Sequence, residues 1–357
     1  MESRSGPGNS ASGPLPLGRQ FPWLAPLAGY SDLPFRLLCR ELGAAVACTE
    51  MVSAKGFIYG LKNRFAEEGA GAALLRTCPK DTPLVVQLFG SEPEFITSAV
   101  EELKGRGYAF FDLNMGCPVP KVTRNGAGSA LLRDTVLAAR VAGALFRAAG
   151  EGRAGCKLRL GPDAAHPVYL DLGRMLEAEG AAWLTLHPRY GKQGFSGSTD
   201  PQALEILAGG VKIPVLASGD LFSARDAVQC LNLGVSGVMF GRGALADPFI
   251  FRRYLNLINK GEEAGGEVPE GAAARLALTR RHAQLAQNLM GERLDREGGI
   301  APALLKMRSI APRYLRSVPG IKRLRADLIR CVSWEEFYAL LDDFFSAPNL
   351  SEGEKCV

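Results

Sequence analysis

Three features of this chain stand where a reaction would need them. Cys117 lies on a Gly-Cys-Pro turn, Asn114-Met115-Gly116-Cys117-Pro118, directly after an apolar run. Pro118 removes one backbone donor and stiffens the turn. The glycine-rich stretch 126–130 that follows predicts a loop able to close over a ligand. Lys157 and Arg159 are set into another apolar run, AGCKLRLG (154–161). A lysine there is costly unless it meets an anion or a polar ligand. Ser218-Gly219-Asp220 and Gly241-Arg242-Gly243 each end an apolar run and lead into a helix-like stretch. Free backbone N–H groups at such turns, with the guanidinium fork of Arg242, suit a phosphate. Gln87, Asn114, His187 and Arg189 also fall at or near the ends of apolar runs. Singly each has a plain reading: His187 as a satisfied core histidine, Lys157 as a snorkelling side chain, Gly219 as a turn, Cys117 as a turn cysteine without a role. Together they are harder to dismiss.

The elements that would position them recur along the chain. Short apolar, β-rich runs occupy 22–29, 44–52, 83–90, 109–116, 154–161, 181–188, 213–220 and 236–243, which makes eight. They are nearly continuous in hydrophobicity rather than alternating, as strands of a parallel sheet covered on both faces must be. The segments between them are amphipathic. From Pro93 to Lys104, residues Phe95, Ile96, Ala99, Val100 and Leu103 share one helical face, and Pro93 sits in a first-turn position. Eight strand-then-helix units in residues 21–260 predict a (β/α)₈ TIM barrel; a doubly wound sheet is the alternative. In such barrels chemistry gathers at the C-terminal strand ends, and the last two ends commonly hold phosphate. The pair of glycine turns on the seventh and eighth runs therefore suggests a phosphorylated ligand such as flavin mononucleotide (FMN).

Outside the barrel, residues 1–20 are rich in Ser, Gly and Pro and predict a disordered tail, with no apolar core of a signal peptide. Residues 261–273 read as a linker, and 274–347 as a small all-α domain without strand signals. No apolar run reaches the ~20 residues of a membrane span. The eight cysteines contain no CxxC pair or zinc spacing, so no metal is expected and most are expected to be reduced, in a cytoplasmic protein. Net charge is only +5. Its distribution says more, because residues 301–330 hold eight Lys or Arg against Asp327 alone. That block is either a nucleic-acid face or an ordinary solvated helix surface. Tyr314, set among these arginines, reads as a packing residue rather than a base-stacking one.

The segments APLAGYSDLPFR (25–36), QLFGSEPE (87–94), DLNMGCPVPKVTRNGAGSALLRD (112–134), KLRLG (157–161), LTLHPRYG (184–191), IPVLASGD (213–220) and GVMFGRGAL (237–245) together resemble the tRNA-dihydrouridine synthases. The likeness covers the whole barrel in order, and NMGCP followed by GAGSALL is its most specific part. It implies an FMN-containing barrel, a helical tRNA-binding domain, and NADPH or NADH as reductant. It further implies that Pro26 and Ala28 lie along the flavin, that Gln87, Lys157 and His187 contact it, and that the turns at Ser218-Gly219-Asp220 and Gly241-Arg242 hold its phosphate. Asn114 would hold the uracil, Arg159 and Arg189 would lie near the substrate or flavin edge, and Cys117 would be the general acid. Leu27, Ser218, the Pro188–Lys192 segment and MRSIAPRYL (307–315) depart from the family pattern.

The chemistry so implied is reduction of the C5=C6 bond of uridine. That bond is conjugated to the C4 carbonyl, so hydride arrives at C6 and a proton at C5. A cysteine can deliver the proton if it remains a thiol near neutral pH, with an ordinary pKa of about 8.5. Lys157 would offset the negative charge of the reduced cofactor. The base must leave its stack to reach the flavin, and the basic block would hold the RNA backbone. The protein is expected to be a monomer. Two other readings compete: a small-molecule flavin reductase of the dihydroorotate-dehydrogenase kind, which would not need residues 274–345, and a tRNA-binding protein without catalysis, which would not need Lys157 and Cys117.

Overall fold

The computed structural model describes residues 13–62, 73–261, 271–290 and 299–346. It divides into two compact units, Met1–Ala244 with Phe249–Glu263, and Leu245–Pro248 with Ala264–Val357. In the first unit the strands are β1 (Trp23–Leu24), β2 (Val46–Cys48), β3 (Val52–Ser53), β4 (Leu84–Phe89), β5 (Phe110–Met115), β6 (Ala154–Arg159), β7 (Leu184–His187), β8 (Val215–Ser218) and β9 (Gly237–Phe240). All pair in parallel, β1 with β9 and β2 with β4, so the sheet closes. The eight staves lie in the eight predicted runs, with β2 and β3 as two pieces of the second. Where that stave breaks, the Thr49 hydroxyl accepts the Gln87 N–H (3.1 Å), a group the ladder would otherwise leave buried and unpaired.

Strand alternation sorts the interior. Trp23, Val46, Val85, Phe110, Trp183, Leu216 and Met239 form one apolar cluster from seven different strands or strand starts. Side chains on a strand return to the same face every second residue. Stepping from this apolar layer by two or four residues toward the strand ends gives Cys48, Gln87, Asp112, Asn114, Thr185, His187, Ser218 and Gly241. On β6, Gly155 takes the place of a core side chain, since a Cβ there would lie 2.4 Å from the Trp183 ring. The same step from Gly155 gives Lys157 and then Arg159. The barrel is therefore apolar below and polar above, and the polar layers are the predicted site.

The beginning of the chain is more ordered than a disordered tail. Residues 1–12 lie outside the described residues, but Leu15 is buried in the apolar cluster, and the Pro16 carbonyl accepts the Trp23 indole N–H (3.1 Å). Burial of two leucines, Leu15 fully and Leu17 in part, outweighs the Gly/Pro composition that suggested disorder. The predicted helix at 93–104 is Pro93–Gly105, burying Ile96, Ala99, Val100 and Leu103.

The second unit is helical: Gly271–Met290, Pro302–Tyr314, Ile321–Leu328 and Trp334–Ser346. Its first helix starts inside the expected 261–273 linker, because Gly271-Ala272-Ala273-Ala274 continues smoothly into helix-forming sequence. Residues 262–270 lie outside the described residues. Tyr314 is fully buried, with its hydroxyl 2.9 Å from His282 Nδ1, so it packs the helices as its sequence setting suggested. Arg313, Arg316, Lys322, Arg323, Arg325 and Arg330 are exposed. No helix among the described residues is long and apolar enough to cross a membrane.

Candidate active site

The strand tips of β4 and β5 bring three predicted residues into one hydrogen-bonded chain. Gln87 Nε2 donates to Asp112 Oδ2 (2.7 Å), Asn114 Nδ2 donates to Gln87 Oε1 (2.8 Å), and Asn114 Oδ1 accepts from Cys117 N (2.9 Å) and Gly116 N (3.2 Å). In its ionised form Asp112 only accepts, and so fixes which way the Gln87 amide points, and that amide fixes Asn114. Register makes this possible, since Gln87 stands opposite Asp112 and Asn114 opposite Lys157. The second proton of Asn114 Nδ2 faces Met51 Sδ at 3.7 Å. Every polar atom of Asn114 thus has a protein partner, and the side chain shapes the Cys117 turn.

Sequence reasoning passed over Asp112, although it is two residues before Asn114 and so on the same inward face. It is 1% exposed, and its Oδ1 has no partner among the described residues. Burial raises its carboxyl to about 7, against the pull of the Gln87 hydrogen bond, of Lys157 and of the neighbouring Trp183 indole N–H. Lys157 reaches into the same interior. Burial lowers its ammonium to about 8, with Asp112 opposing and Arg159 reinforcing the shift.

Cys117 is half-buried, and burial raises its thiol, with a backbone hydrogen bond from Val119 and the charge of Arg159 only partly offsetting this. It is therefore a protonated thiol at neutral pH. The glycine-rich stretch after it is not a hinge. Gly128 has φ +63°, and a Cβ there would lie 2.6 Å from the Cys117 carbonyl, while Ser129 N donates to that carbonyl at 2.9 Å. The 3₁₀ turn Gly128–Arg133 packs onto the cysteine turn, and the glycine serves close approach rather than motion.

Opposite, the β7 and β8 ends carry a charge cluster. Arg189 is 2% exposed and donates to Asp220 Oδ2 (2.6 Å) and to the carbonyls of Gly197 (2.5 Å) and Ser196 (3.3 Å). It thereby staples the loop after β7 to the tip of β8. Asp220, at φ +52°, also accepts from Arg242. Arg242 lies over the Phe195 ring, 4.3 Å from its centre. Arg159, also 2% exposed, donates to the Tyr190 carbonyl (2.8 Å). His187 Nε2 lies 3.4 Å from Arg189 Nη1. Arginine cannot accept, so this nitrogen faces a donor and the ring proton belongs on Nδ1. Burial, then Lys157, Arg159, Arg189 and Arg242, push His187 down to about 2, so the ring is neutral. Pro26 is half-buried and Ala28 exposed just beyond β1, where Ala25 N is bonded to the Phe240 carbonyl (2.8 Å).

Lys157, Arg159, Arg189 and Arg242 thus converge with Asp112 and Asp220 as the acids named beside them. Such an excess of positive charge in a partly buried site suits an anionic ligand. Gly219 lets the His187 ring lie against the β8 turn. Its φ is +98°, and a Cβ would lie 2.3 Å from the His187 ring. The chemistry of these residues suits a phosphorylated ring cofactor such as FMN: Gly219, Gly241 and Arg242 would hold its phosphate, and Lys157, Gln87 and His187 would line its ring. Gly219→Ala is expected to weaken FMN binding by about ten- to a hundredfold, from backbone strain and the displaced imidazole, read by fluorescence titration of the stripped protein. Unchanged affinity would remove this turn from the flavin site. No group of three or more potential metal-ligating side chains occurs among the described residues.

The dihydrouridine synthase family profile matches residues 23–348. A probable tRNA-dihydrouridine synthase 1 of Synechocystis is 32% identical over 91% of this chain and 86% of its own length. A probable tRNA-dihydrouridine synthase of Mycobacterium tuberculosis is 34% identical over 89% of this chain and 80% of its own. The tRNA-dihydrouridine synthase B of Pseudomonas aeruginosa is 30% identical over 88% and 92%.

Proposed function

The chain belongs to the dihydrouridine synthase family of flavin-dependent oxidoreductases, and from that premise we propose that it reduces the C5=C6 bond of specific uridines in tRNA, with FMN as cofactor and NADPH or NADH as reductant. The observation that carries the reading is the inward polar layer itself. One barrel mouth gathers a half-buried cation, a neutral imidazole, a glycine turn and a protonated thiol on an ordered turn.

When bound and reduced, FMN would supply the hydride for C6 of uracil. The chain's own groups do the rest. Cys117 holds a proton on Sγ for C5, and its raised pKa keeps that proton in place through neutral pH. Asn114 fixes the turn that carries the thiol, and Gln87 and Asp112 fix Asn114. Lys157 would hold positive charge to offset the negative charge of the reduced cofactor. Arg189 acts through the loop it holds, and Arg159 is tied to the same loop by one Nη1 bond to the Tyr190 carbonyl. In the helical unit, exposed Arg313, Arg316, Lys322, Arg323, Arg325 and Arg330 supply charge for an RNA backbone. A reductase of small pyrimidines would have no use for them.

Incubation with NADPH and unmodified tRNA tests this. A gain of two hydrogens on a uridine of the tRNA, without turnover of free uridine or dihydroorotate, is the expected result; turnover of only the small molecules would overturn it. A pH dependence follows from Lys157. Its charge, present below about 8 in the free protein, is lost as pH rises through that value. FMN affinity is therefore expected to fall above pH 8, while the Cys117 thiol, raised rather than lowered, stays protonated over the same range. Titration of the stripped protein from neutral to alkaline pH checks the sign.

A further inference from the structure

We propose that a hollow beside the Cys117 turn is a phosphodiester subsite, seating a backbone phosphate of the RNA next to the uridine being reduced; this rests on the tRNA reading above. The cavity measures about 350 Å³, and Pro118, Arg124, Ser129, Arg133, Gly191 and Lys192 are among the residues that line it. One wall is the segment from Pro118 to Arg133, continuous with Cys117 and bonded back to it through Ser129 N and the Cys117 carbonyl (2.9 Å). The other wall comes from the loops after β6 and β7, tied together by Gly191 N to the Gly161 carbonyl (2.9 Å) and Lys192 N to the Pro162 carbonyl (3.0 Å). Both walls are thus fixed by backbone bonds and do not depend on exposed side chains for their shape.

The lining chemistry is that of an anion site. Arg124 and Arg133 are exposed and have no acidic partner among the described residues. Lys192 is held by Asp163 (2.6 Å), a carboxylate shared with His166. Ser129 adds a hydroxyl from a residue only 7% exposed, and no protein partner for that hydroxyl occurs among the described residues. Two guanidinium groups without an acidic partner among the described residues, an ammonium held by Asp163 and the hydroxyl of a largely buried serine suit a phosphate, which takes forked donors and several hydrogen bonds at once.

Position selects the ligand. A uridine lifted from its stack carries its own two phosphates to the rim of the pocket that receives its base. The cavity adjoins the turn that bears the proton donor, which serves the uracil and not the reductant. Its volume has room for one sugar-phosphate unit rather than a whole dinucleotide.

The test compares the FMN-loaded wild type with the double variant Arg124→Ala, Arg133→Ala. The readouts are tRNA affinity across a salt series and the rate of flavin reduction by NADPH. The variant is expected to bind tRNA about five- to twentyfold more weakly near 0.1 M salt, with the slope of log affinity against log salt shallower by about 1 to 2. Flavin reduction should be unchanged. The charge-preserving pair R124K and R133K should keep the wild-type slope. Equal affinity and slope in the alanine variant would overturn the subsite, as would equal losses in the alanine and lysine pairs, which would mark altered loop packing. Slower reduction by NADPH with intact tRNA binding would give the hollow to the reductant and also overturn it. Binding needs no turnover, so a wild type that bound tRNA without reducing it would sink the proposed reaction while the slopes still decided the subsite. A wild type that bound no tRNA would sink both.

Discussion

Cys117→Ala is expected to lower dihydrouridine formation by about a hundred- to ten-thousandfold, the range that a positioned general acid contributes. Flavin content and the rate of flavin reduction by NADPH should stay at wild-type levels. The separation follows from where the residue sits. Its turn is anchored by its backbone, through Asn114 Oδ1 to Cys117 N and through Ser129 N to the Cys117 carbonyl. Removing Sγ therefore leaves the turn and the barrel layer beneath it in place. What is lost is the proton itself, held on a thiol that burial keeps from ionising. Serine would not restore the activity, because its hydroxyl is a far weaker acid. The measurement is rapid mixing of each variant first with NADPH, then with unmodified tRNA. Full activity in the alanine variant would remove Cys117 from the reaction.

Lys157→Met is expected to reduce FMN affinity by about ten- to a hundredfold and to slow reduction of the flavin that remains bound. Methionine roughly keeps the length of the side chain and loses the charge. The ammonium is the interior cation next to Asp112, and its loss removes one of the forces that hold that carboxyl down. With the carboxyl pushed further up, the Gln87 amide loses the ionised acceptor that orients it. The effect should therefore spread to Asn114 and the Cys117 turn, while thermal stability changes little, since burying a charge without a bonded partner is itself costly. Flavin content after purification and stopped-flow reduction by NADPH read both parts. A variant with wild-type flavin and wild-type reduction would place Lys157 outside the cofactor site.

Much of the barrel was legible because two signals coincide. Strands covered on both faces must be apolar throughout, so Val85, Phe110 and Leu216 mark the staves. A charged or amide residue inside such a run is then conspicuous, which is how Gln87, Asn114, Lys157 and His187 stand out. Asp112 carries the same signal and is harder to see. It sits between two phenylalanines and a leucine, and only the inward parity shared with Asn114 exposes it. The commitments of Arg159 and Arg189 were not legible either. Their partners are the carbonyls of Tyr190, Ser196 and Gly197 and the Asp220 carboxylate, and no sequence pattern predicts which backbone carbonyl a guanidinium will meet. The glycines at 126–128 illustrate a different limit. A glycine that permits motion and one that permits close contact look alike in sequence, and only the 2.6 Å clash that a Cβ at Gly128 would make with the Cys117 carbonyl separates them.

The most direct test of the whole account is a single turnover without air. The protein is loaded with FMN, reduced with NADPH, freed of nucleotide and mixed with tRNA that lacks modifications. The barrel mouth described above predicts that the oxidised flavin colour returns as tRNA is added, with one dihydrouridine formed for each flavin reoxidised. Flavin that stays bleached in the presence of tRNA, but recovers its colour with a small unsaturated pyrimidine, would contradict it.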